Sequence, residues 1–90
     1  MDRLIHRVSF STYFEKSFSV LPERIKKLAR TKDRLFRRNA FHPALSAHKL
    51  HGEFKEYWAY SVNREYRVLF SIDTDHAVVY INIGTHEIYK

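Results

Sequence analysis

The sequence predicts a single α+β domain, in which one strand and two helices precede three antiparallel strands. Apolar residues alternate with a period of two near the start and over most of the second half, and they recur at helical spacing in between. A chain of 90 residues suffices for one domain only, so we expect a single domain over residues 1–90. With two Gly, two Pro and no Cys, the chain resembles neither a disordered linker nor a disulfide-bonded scaffold.

Local patterns near the N-terminus predict the first strand and the first helix. Side chains of residues 4–10 alternate with a period of two, which is typical of a strand. Thr12–Glu15 has the capping-box pattern that starts a helix. Phe14, Phe18 and Leu21 then share one helical face.

The second predicted helix is amphipathic and carries the densest positive charge in the chain. Pro22 suits its first turn, and Pro43 disfavours helix at the preceding residue, so we predict a helix from Pro22 to about Asn39. Its apolar stripe consists of Ile25, Leu28, Ala29, Leu35 and Phe36. Its outer face carries Lys27, Arg30, Arg34, Arg37 and Arg38.

A loop and a three-stranded meander fill the second half. Residues 42–55 lack a strong period and contain Pro43 and Gly52, which favours a loop with a short turn or strand. After it we predict strands at 57–62, 66–72 and 77–83, turns at Asn63–Arg64 and 73–76, and a polar tail at 85–90.

The net charge of +6 arises from 16 Lys and Arg against 10 Asp and Glu, and the excess lies in residues 1–56. Such a surface attracts nucleic acid, an acidic protein segment or an anionic membrane. Met1–Arg7 lacks the apolar run of a signal peptide, and the apolar stretch Ala77–Ile83 is too short to span a membrane. Together with the lack of Cys, these features favour a cytoplasmic protein.

Six His make the chain rich in imidazole. His48 and His51 have the spacing of a metal pair on a helix, but a pair is half a site and Gly52 argues against a helix there, so we predict no metal. The remaining residue types suit metal-free RNA cleavage, in which the 2′-hydroxyl is the nucleophile. That reaction needs a base, a cation at the phosphate and an acid at the leaving oxygen, and imidazole can be either acid or base.

Four residues have both a structural and a functional interpretation on pattern alone. Arg67, an isolated strand arginine, either lies at an exposed position or holds a phosphate rigidly. His86 is either an ordinary surface residue or a group at the rim of the sheet. Tyr89 either packs the chain end or stacks on a base, and Trp58 is either a core residue or a base platform.

Several segments, in order along nearly the whole chain, match one known pattern. They are Leu21–Glu23, His48–Gly52, Asn63–Phe70, Val78–Ile83 and Gly84–Tyr89. Together they resemble the RelE/ParE toxin superfamily of type II toxin–antitoxin systems. The resemblance implies an α+β fold with a twisted antiparallel sheet behind two N-terminal helices. For the RelE and YafQ branches it further implies cleavage of mRNA in the ribosomal A site without a metal or other cofactor, leaving a cyclic phosphate.

The resemblance also implies roles for individual residues. Arg67 lies in a RelE-type Tyr-Arg strand motif and would stabilise the phosphate. His86 lies in a YafQ-type Gly-Thr-His ending and would be the general acid. His48 matches the other catalytic histidine, as a base or an RNA contact, and Tyr89 matches the C-terminal aromatic residue that orients the substrate base.

This chain departs from both patterns on one strand. Trp58–Ser61 has neither the lysines of RelE-type enzymes nor the Asp and His of YafQ-type enzymes. Glu65 falls at the position of a further YafQ-type Asp, so it competes with His48 as the candidate base.

The remaining predictions concern partners and competing functions. RNA contacts are predicted at Lys49, Lys55, Arg64 and Trp58. An acidic, partly disordered antitoxin is predicted to form a hetero-oligomer by binding the second helix at Arg30, Arg34 and Arg37. Two other functions stay open: a ParE-like gyrase poison without nuclease activity, and a non-enzymatic RNA- or ribosome-binding module.

Overall fold

The N-terminal part of the chain forms one strand and two helices. In the computed structural model, which describes residues 4–74 and 76–89, they are β1 (Arg7–Phe10), α1 (Thr12–Ser19) and α2 (Glu23–Arg38). The predicted strand is shorter than expected, and the second helix has nearly its expected bounds. Predictions that fall on residues 1–3, 75 and 90 lie outside the described residues. Neither α1 nor α2 is long and apolar enough to cross a membrane.

Ser11, not Thr12, caps helix α1. Its Oγ accepts a hydrogen bond from the backbone N–H of Phe14 at 2.9 Å and donates one to the Ile81 carbonyl oxygen at 2.7 Å. The capping box predicted at Thr12–Glu15 is therefore wrong by one residue. Either hydroxyl could cap a helix, and the choice of Ser11 depends on a contact with a strand 70 residues away.

Four strands and three short 3-10 turns follow. The strands are β2 (His48–Lys49), β3 (Trp58–Ser61), β4 (Arg67–Thr74) and β5 (Ala77–Gly84), and the turns are Pro43–Leu45, Gly52–Phe54 and His86–Tyr89. The predicted tight turn at Asn63–Arg64 is instead a longer loop over residues 62–66. Asn63 closes this loop, because its Oδ1 accepts hydrogen bonds from the backbone N–H groups of Glu65 and Tyr66.

The five strands form one mixed sheet in the order β1-β5-β4-β3-β2. Neighbouring strands from β2 to β5 are antiparallel, as predicted, whereas β1 pairs in parallel with β5, from Arg7 opposite Ala77 to Phe10 opposite Tyr80. The α+β class is confirmed, and the all-antiparallel sheet is corrected at this edge. An alternating pattern identifies a strand but carries no information about the direction of its neighbour.

Helix α2 packs its apolar stripe against one face of the sheet. Phe36 is fully buried there, and its ring centroid lies 4.8 Å from that of Tyr60 and 4.9 Å from that of Phe70. Because side chains alternate along a strand, Val68 and Phe70 of β4 point to the helices, and Arg67 points to the opposite face. The aromatic residues thus fill one side of the sheet and leave the other side for different chemistry.

A hydrogen-bonded chain joins α2 to this aromatic core. The Tyr60 hydroxyl donates to the Tyr80 hydroxyl oxygen at 2.9 Å, and the Tyr80 hydroxyl donates to Asp33 Oδ1 at 2.7 Å. The Asp33 carboxylate also accepts from Arg37 Nε, at 3.1 and 3.0 Å to its two oxygens. Burial raises the pKa of both tyrosines well above the ordinary value for tyrosine. The neighbouring Tyr60 and Asp33 raise the pKa of Tyr80 further.

Candidate active site

A groove of about 850 Å³ lies on the side of the sheet away from α2. Four segments form it: β2 with the loop that follows, the 62–66 loop, the start of β4 and the C-terminal turn. Its lining residues are His48, Leu50, His51, Phe54, Arg64, Glu65, Arg67, Thr85, His86 and Tyr89. The structure thus brings together all five residues predicted to be catalytic, and one predicted RNA contact.

Arg67 enters the groove from the first position of β4. In the sheet it lies opposite Ser61 of β3 on one side and Gly84 of β5 on the other. Both neighbours are small, and the space above Gly84 is taken by the Ile88 side chain from the C-terminal turn. A half-buried arginine on a strand is held more rigidly than one on a loop, which suits binding of a phosphate.

The 3-10 turn His86–Tyr89 forms the wall of the groove next to Arg67. The backbone N–H of Ile88 donates to the Thr85 carbonyl oxygen at 3.0 Å, and that of Glu87 lies 3.4 Å from Thr85 Oγ1. The polar tail predicted here is therefore an ordered turn in residues 86–89. Thr85 supplies the local hydrogen bonds that bend the chain over the end of β5.

Tyr89 is half-buried and lies beside both Arg67 and Phe54. Its ring centroid is 6.1 Å from that of Phe54 in an edge-on arrangement. Burial raises the pKa of the Tyr89 hydroxyl above its ordinary value, and the nearby Arg67 guanidinium partly opposes this increase. The hydroxyl oxygen is buried and makes no hydrogen bond to the described residues.

The two predicted catalytic histidines differ in their surroundings. The His86 side chain is 74% exposed, and its Nε2 lies 3.6 Å from Glu87 Oε2. His48, also exposed, has its Nδ1 3.0 Å from the Ser46 carbonyl oxygen. A carbonyl oxygen can only accept, so Nδ1 carries the proton in this contact and Nε2 of neutral His48 has a free lone pair.

Glu65 and Arg64 reach the groove from the loop that Asn63 closes, and both are exposed. His51 also lines the groove, although the sequence analysis considered it only as half of a metal pair. Its spacing from His48 does not predict this position, because residues three apart on an extended segment point to opposite faces.

Three predicted RNA contacts lie outside the groove lining. Trp58 packs against the core, with its ring 5.7 Å from Phe41 and 6.4 Å from Phe70, which matches its interpretation as a core residue. Lys49 follows His48 on β2 and so points to the other side of the sheet. Lys55 is exposed just after the Gly52–Phe54 turn.

The arrangement of metal-ligating residue types in the described part of the chain bears on whether the groove could hold a metal ion. Within residues 4–74 and 76–89, no three His, Asp or Glu side chains are placed so that they could hold a metal ion. The groove therefore offers imidazole, guanidinium, carboxylate and phenol groups as its own reactive groups.

The predicted antitoxin contacts on α2 have different environments. The Arg30 guanidinium carbon lies 5.6 Å from the ring centroid of Phe18, and Arg34 is exposed on the outer face, near Thr31. Arg37 instead bonds to Asp33 in the chain that leads to the core. Arg37 therefore has a structural partner within the fold.

A second cavity of about 310 Å³ lies between the two helices and the sheet. Its walls include five aromatic residues, Phe10, Phe14, Phe18, Tyr60 and Tyr80, and the carboxylates of Glu15 and Asp33. Phe10, which lines the cavity, is exposed although it is large and apolar. Arg30 lies at the edge of this cavity, so an apolar surface and a positive charge are adjacent there.

Neither a family model nor a curated protein matches the chain by sequence, but solved structures match it by fold. A variant of YafQ from E. coli superposes with a TM-score of 0.75 at 19% identity, over 91% of this chain and 94% of that one. A YoeB/ParE toxin from Agrobacterium tumefaciens superposes with a TM-score of 0.75 at 14% identity, over 89% of this chain and 98% of that one. A chain of the RelBE2 toxin–antitoxin complex from Mycobacterium tuberculosis superposes with a TM-score of 0.73 at 22% identity, over 94% of this chain and 97% of that one.

The three superpositions cover nearly the whole length of each solved structure. At these identities the likeness concerns the backbone. The chain therefore has the fold of the RelE/YafQ-like toxin superfamily.

Proposed function

We propose that this protein is the toxin of a type II toxin–antitoxin system and that it cleaves mRNA on the ribosome in the cytoplasm. The observation that carries the proposal is the groove, in which Arg67, His86, His48 and Tyr89 meet on the open face of a toxin-like fold. These groups suffice for acid–base cleavage of RNA.

In the proposed reaction, a base removes the proton of the 2′-hydroxyl and O2′ attacks the adjacent phosphorus. The bond from phosphorus to the 5′-oxygen breaks, and protonated His86 donates a proton to that leaving oxygen. The products are a 2′,3′-cyclic phosphate and a 5′-hydroxyl end. Arg67 stabilises the additional negative charge on the phosphorane, where a rigidly placed cation is most effective. Tyr89 orients the base of the nucleotide to be cut.

We propose His48 as the general base, in preference to Glu65. In the neutral ring, the Nδ1–H contact with the Ser46 carbonyl oxygen places the lone pair on Nε2, where a base requires it. Glu65 is exposed as well, and no hydrogen bond to a described residue orients its carboxylate in the same way. His48→Ala should lower the cleavage rate ~10²–10⁴-fold, and Glu65→Gln should lower it less. The reverse order would assign the base to Glu65.

The test is induced expression in bacteria, followed by mapping of new 5′ ends on a reporter mRNA. Cuts within translated codons and cyclic phosphate ends on the upstream fragments support the proposal. Breaks in DNA with intact mRNA would identify a ParE-like gyrase poison instead. Binding to ribosomes with neither kind of break would identify a non-enzymatic module.

Two further properties belong to this proposal: the protein requires no metal, and it requires the ribosome. Ribosomes need Mg²⁺ themselves, so the protein should be stripped of transition metals with EDTA and then assayed on programmed ribosomes with Mg²⁺ restored. Its rate should equal that of the untreated protein. Rescue by Zn²⁺ or Mn²⁺ alone would contradict the metal-free mechanism, and equal cutting of naked RNA would contradict ribosome dependence.

For the antitoxin, we propose an acidic segment that binds the outer face of α2 and places an apolar side chain in the aromatic cavity. Arg30 supports this location, because it joins the positive face to the cavity. Replacing both Arg30 and Arg34 by Glu should slow association with the antitoxin about 10-fold or more and weaken its salt dependence. Arg37 is left unchanged, since its reversal would place a second carboxylate beside Asp33. The charge-matched control is Lys49→Glu with Lys55→Glu, which should bind normally.

A further inference from the structure

The turn that carries His86 rests on a contact that only a glycine permits. A Cβ added at Gly84 would lie 2.7 Å from Cγ2 of Ile88, which is closer than two carbons can pack. The backbone of Gly84 is not left-handed, so the requirement for glycine is one of space. Ile88 thus occupies the volume that a side chain at position 84 would fill.

This contact lies between the groups proposed to act on RNA. Gly84 is the direct partner of Arg67 across β4 and β5. Ile88, closed onto Thr85 by its backbone hydrogen bond, lies two residues after His86 and directly before Tyr89. The position of Ile88 on Gly84 therefore sets how far the turn lies from the guanidinium.

We propose that Ile88 is a positioning residue, whose packing on Gly84 holds His86 and Tyr89 at their working distance from Arg67. Ile88 itself is half-buried and is not among the residues that line the groove, so it acts through its neighbours. The inference rests on the proposed ribonuclease function. It adds the requirement that position 84 be glycine, so that Ile88 can pack there.

Size changes at the two contacting positions test this inference. Gly84→Ala should push the turn away from β5, and a displacement of about 1 Å in a catalytic group can cost ~10²-fold in rate. Ile88→Leu keeps the side-chain volume but removes Cγ2, the atom that the new methyl group would meet. The double variant should therefore recover at least 10-fold of the rate lost in Gly84→Ala.

The measurements are single-turnover cleavage on programmed ribosomes, KM for those ribosomes, and NMR spectra of Thr85–Tyr89. In Gly84→Ala we expect a loss in kcat with little change in KM and displaced signals for His86 and Tyr89. In the double variant, both the rate and the signals should return towards those of the wild type. The control Val79→Ile adds one carbon to β5 away from the groove and should change neither.

The two proposals fail in different ways. If the wild type cleaves and Gly84→Ala cleaves equally fast, or if the second substitution restores nothing, Ile88 does not position the turn. If Gly84→Ala is slow but its NMR signals are those of the wild type, the inference is also wrong. If the wild type has no ribonuclease activity, the proposed function is wrong. The packing contact is then tested by NMR alone: it is refuted if the His86 and Tyr89 signals do not shift in Gly84→Ala, or do not return in the double variant.

Discussion

The two faces of the sheet have opposite characters. On the face covered by the helices, Phe36, Tyr60, Phe70 and Tyr80 are almost fully buried, and the buried hydroxyls bond to each other and to Asp33. On the groove face, His48, His86 and Glu65 are exposed. Tyr89 keeps a buried hydroxyl without a bonding partner among the described residues.

We expect the helix face of the sheet to determine stability and the groove face to determine the proposed activity. Polar groups on the helix face satisfy one another, which is what burial demands of them. Polar groups in the groove are left to solvent or to a substrate. Substitutions on the first face should therefore change the free energy of unfolding, and those on the second should change the rate of RNA cleavage.

The largest effect should follow removal of a reacting group from the groove. His86→Gln should lower the cleavage rate ~10²–10⁴-fold, since it removes the general acid, and Arg67→Ala should lower it ~10²–10³-fold. Each should change the free energy of unfolding by no more than ~0.5–1 kcal/mol. Cleavage on programmed ribosomes and urea unfolding measure the two quantities.

His76→Gln is the matched control for these variants. His76 stacks on His6 at the opposite end of β5, with ring centroids 4.7 Å apart, so its loss should leave cleavage unchanged. A wild-type rate in His86→Gln would reject the proposed mechanism. An unfolded His86→Gln would make His86 a structural residue.

One substitution made on both faces compares their contributions to stability. Phe36→Ala should cost ~3–5 kcal/mol, because a fully buried aromatic ring leaves a cavity. Phe54→Ala should cost only ~1–2 kcal/mol, because its ring is half-buried beside the groove. Urea unfolding of both variants measures this difference, and equal losses would mean that the groove face is also part of the core.

Alkaline pH should destabilise the fold, chiefly through the two buried tyrosines of the helix face. The folded state raises the pKa of Tyr60 and Tyr80 above the ordinary value near 10, so these groups stay protonated while the unfolded chain loses protons. Their stabilisation is fully present below pH 10 and decreases above it, by ~1.4 kcal/mol per pH unit for each tyrosine. Urea unfolding between pH 8 and 11 should show this slope, and Tyr60→Phe should reduce it. A flat profile would contradict the buried state of both hydroxyls.

The smallest effect distinguishes two arginines of α2. Arg37→Ala should cost about 1 kcal/mol, since the Arg37 side chain is 39% exposed and loses its bond to Asp33. Arg34→Ala should change stability by less than about 0.5 kcal/mol, as expected for an exposed position. Thermal unfolding of the two variants checks this, and equal values would remove Arg37 from the structural network.

Local patterns were sufficient for features that depend on neighbouring residues. The apolar stripe of α2 and the alternation in β4 predicted both elements, because helical and strand periods are properties of short segments. The cap at Ser11 and the parallel pairing of β1 depend on β5, which is far away in the sequence. No local pattern could therefore have predicted them.

In the groove too, local patterns predict some side-chain positions and miss those that depend on the rest of the fold. Arg67 and His86 were recognised from short motifs, and the structure places both in the groove. Trp58 is predicted to contact RNA because an aromatic side chain can be a stacking platform for a base. The alternation of side chains along β3 assigns it to the opposite face. His51 was missed because the shape of the loop after β2 brings it into the groove.

The pairing of β1 with β5 has a consequence for synthesis on the ribosome. Strand β1 cannot pair until β5 has been synthesised, since Arg7 and Ala77 are partners in the sheet. The chain therefore exposes the aromatic side chains of α1 and α2 for most of its translation, with only β2–β4 available to cover them. Contacts between distant parts of a sequence form slowly, so β5 and the turn that follows it complete both the core and the groove. A nascent chain cannot assemble the proposed active site before β5 has emerged.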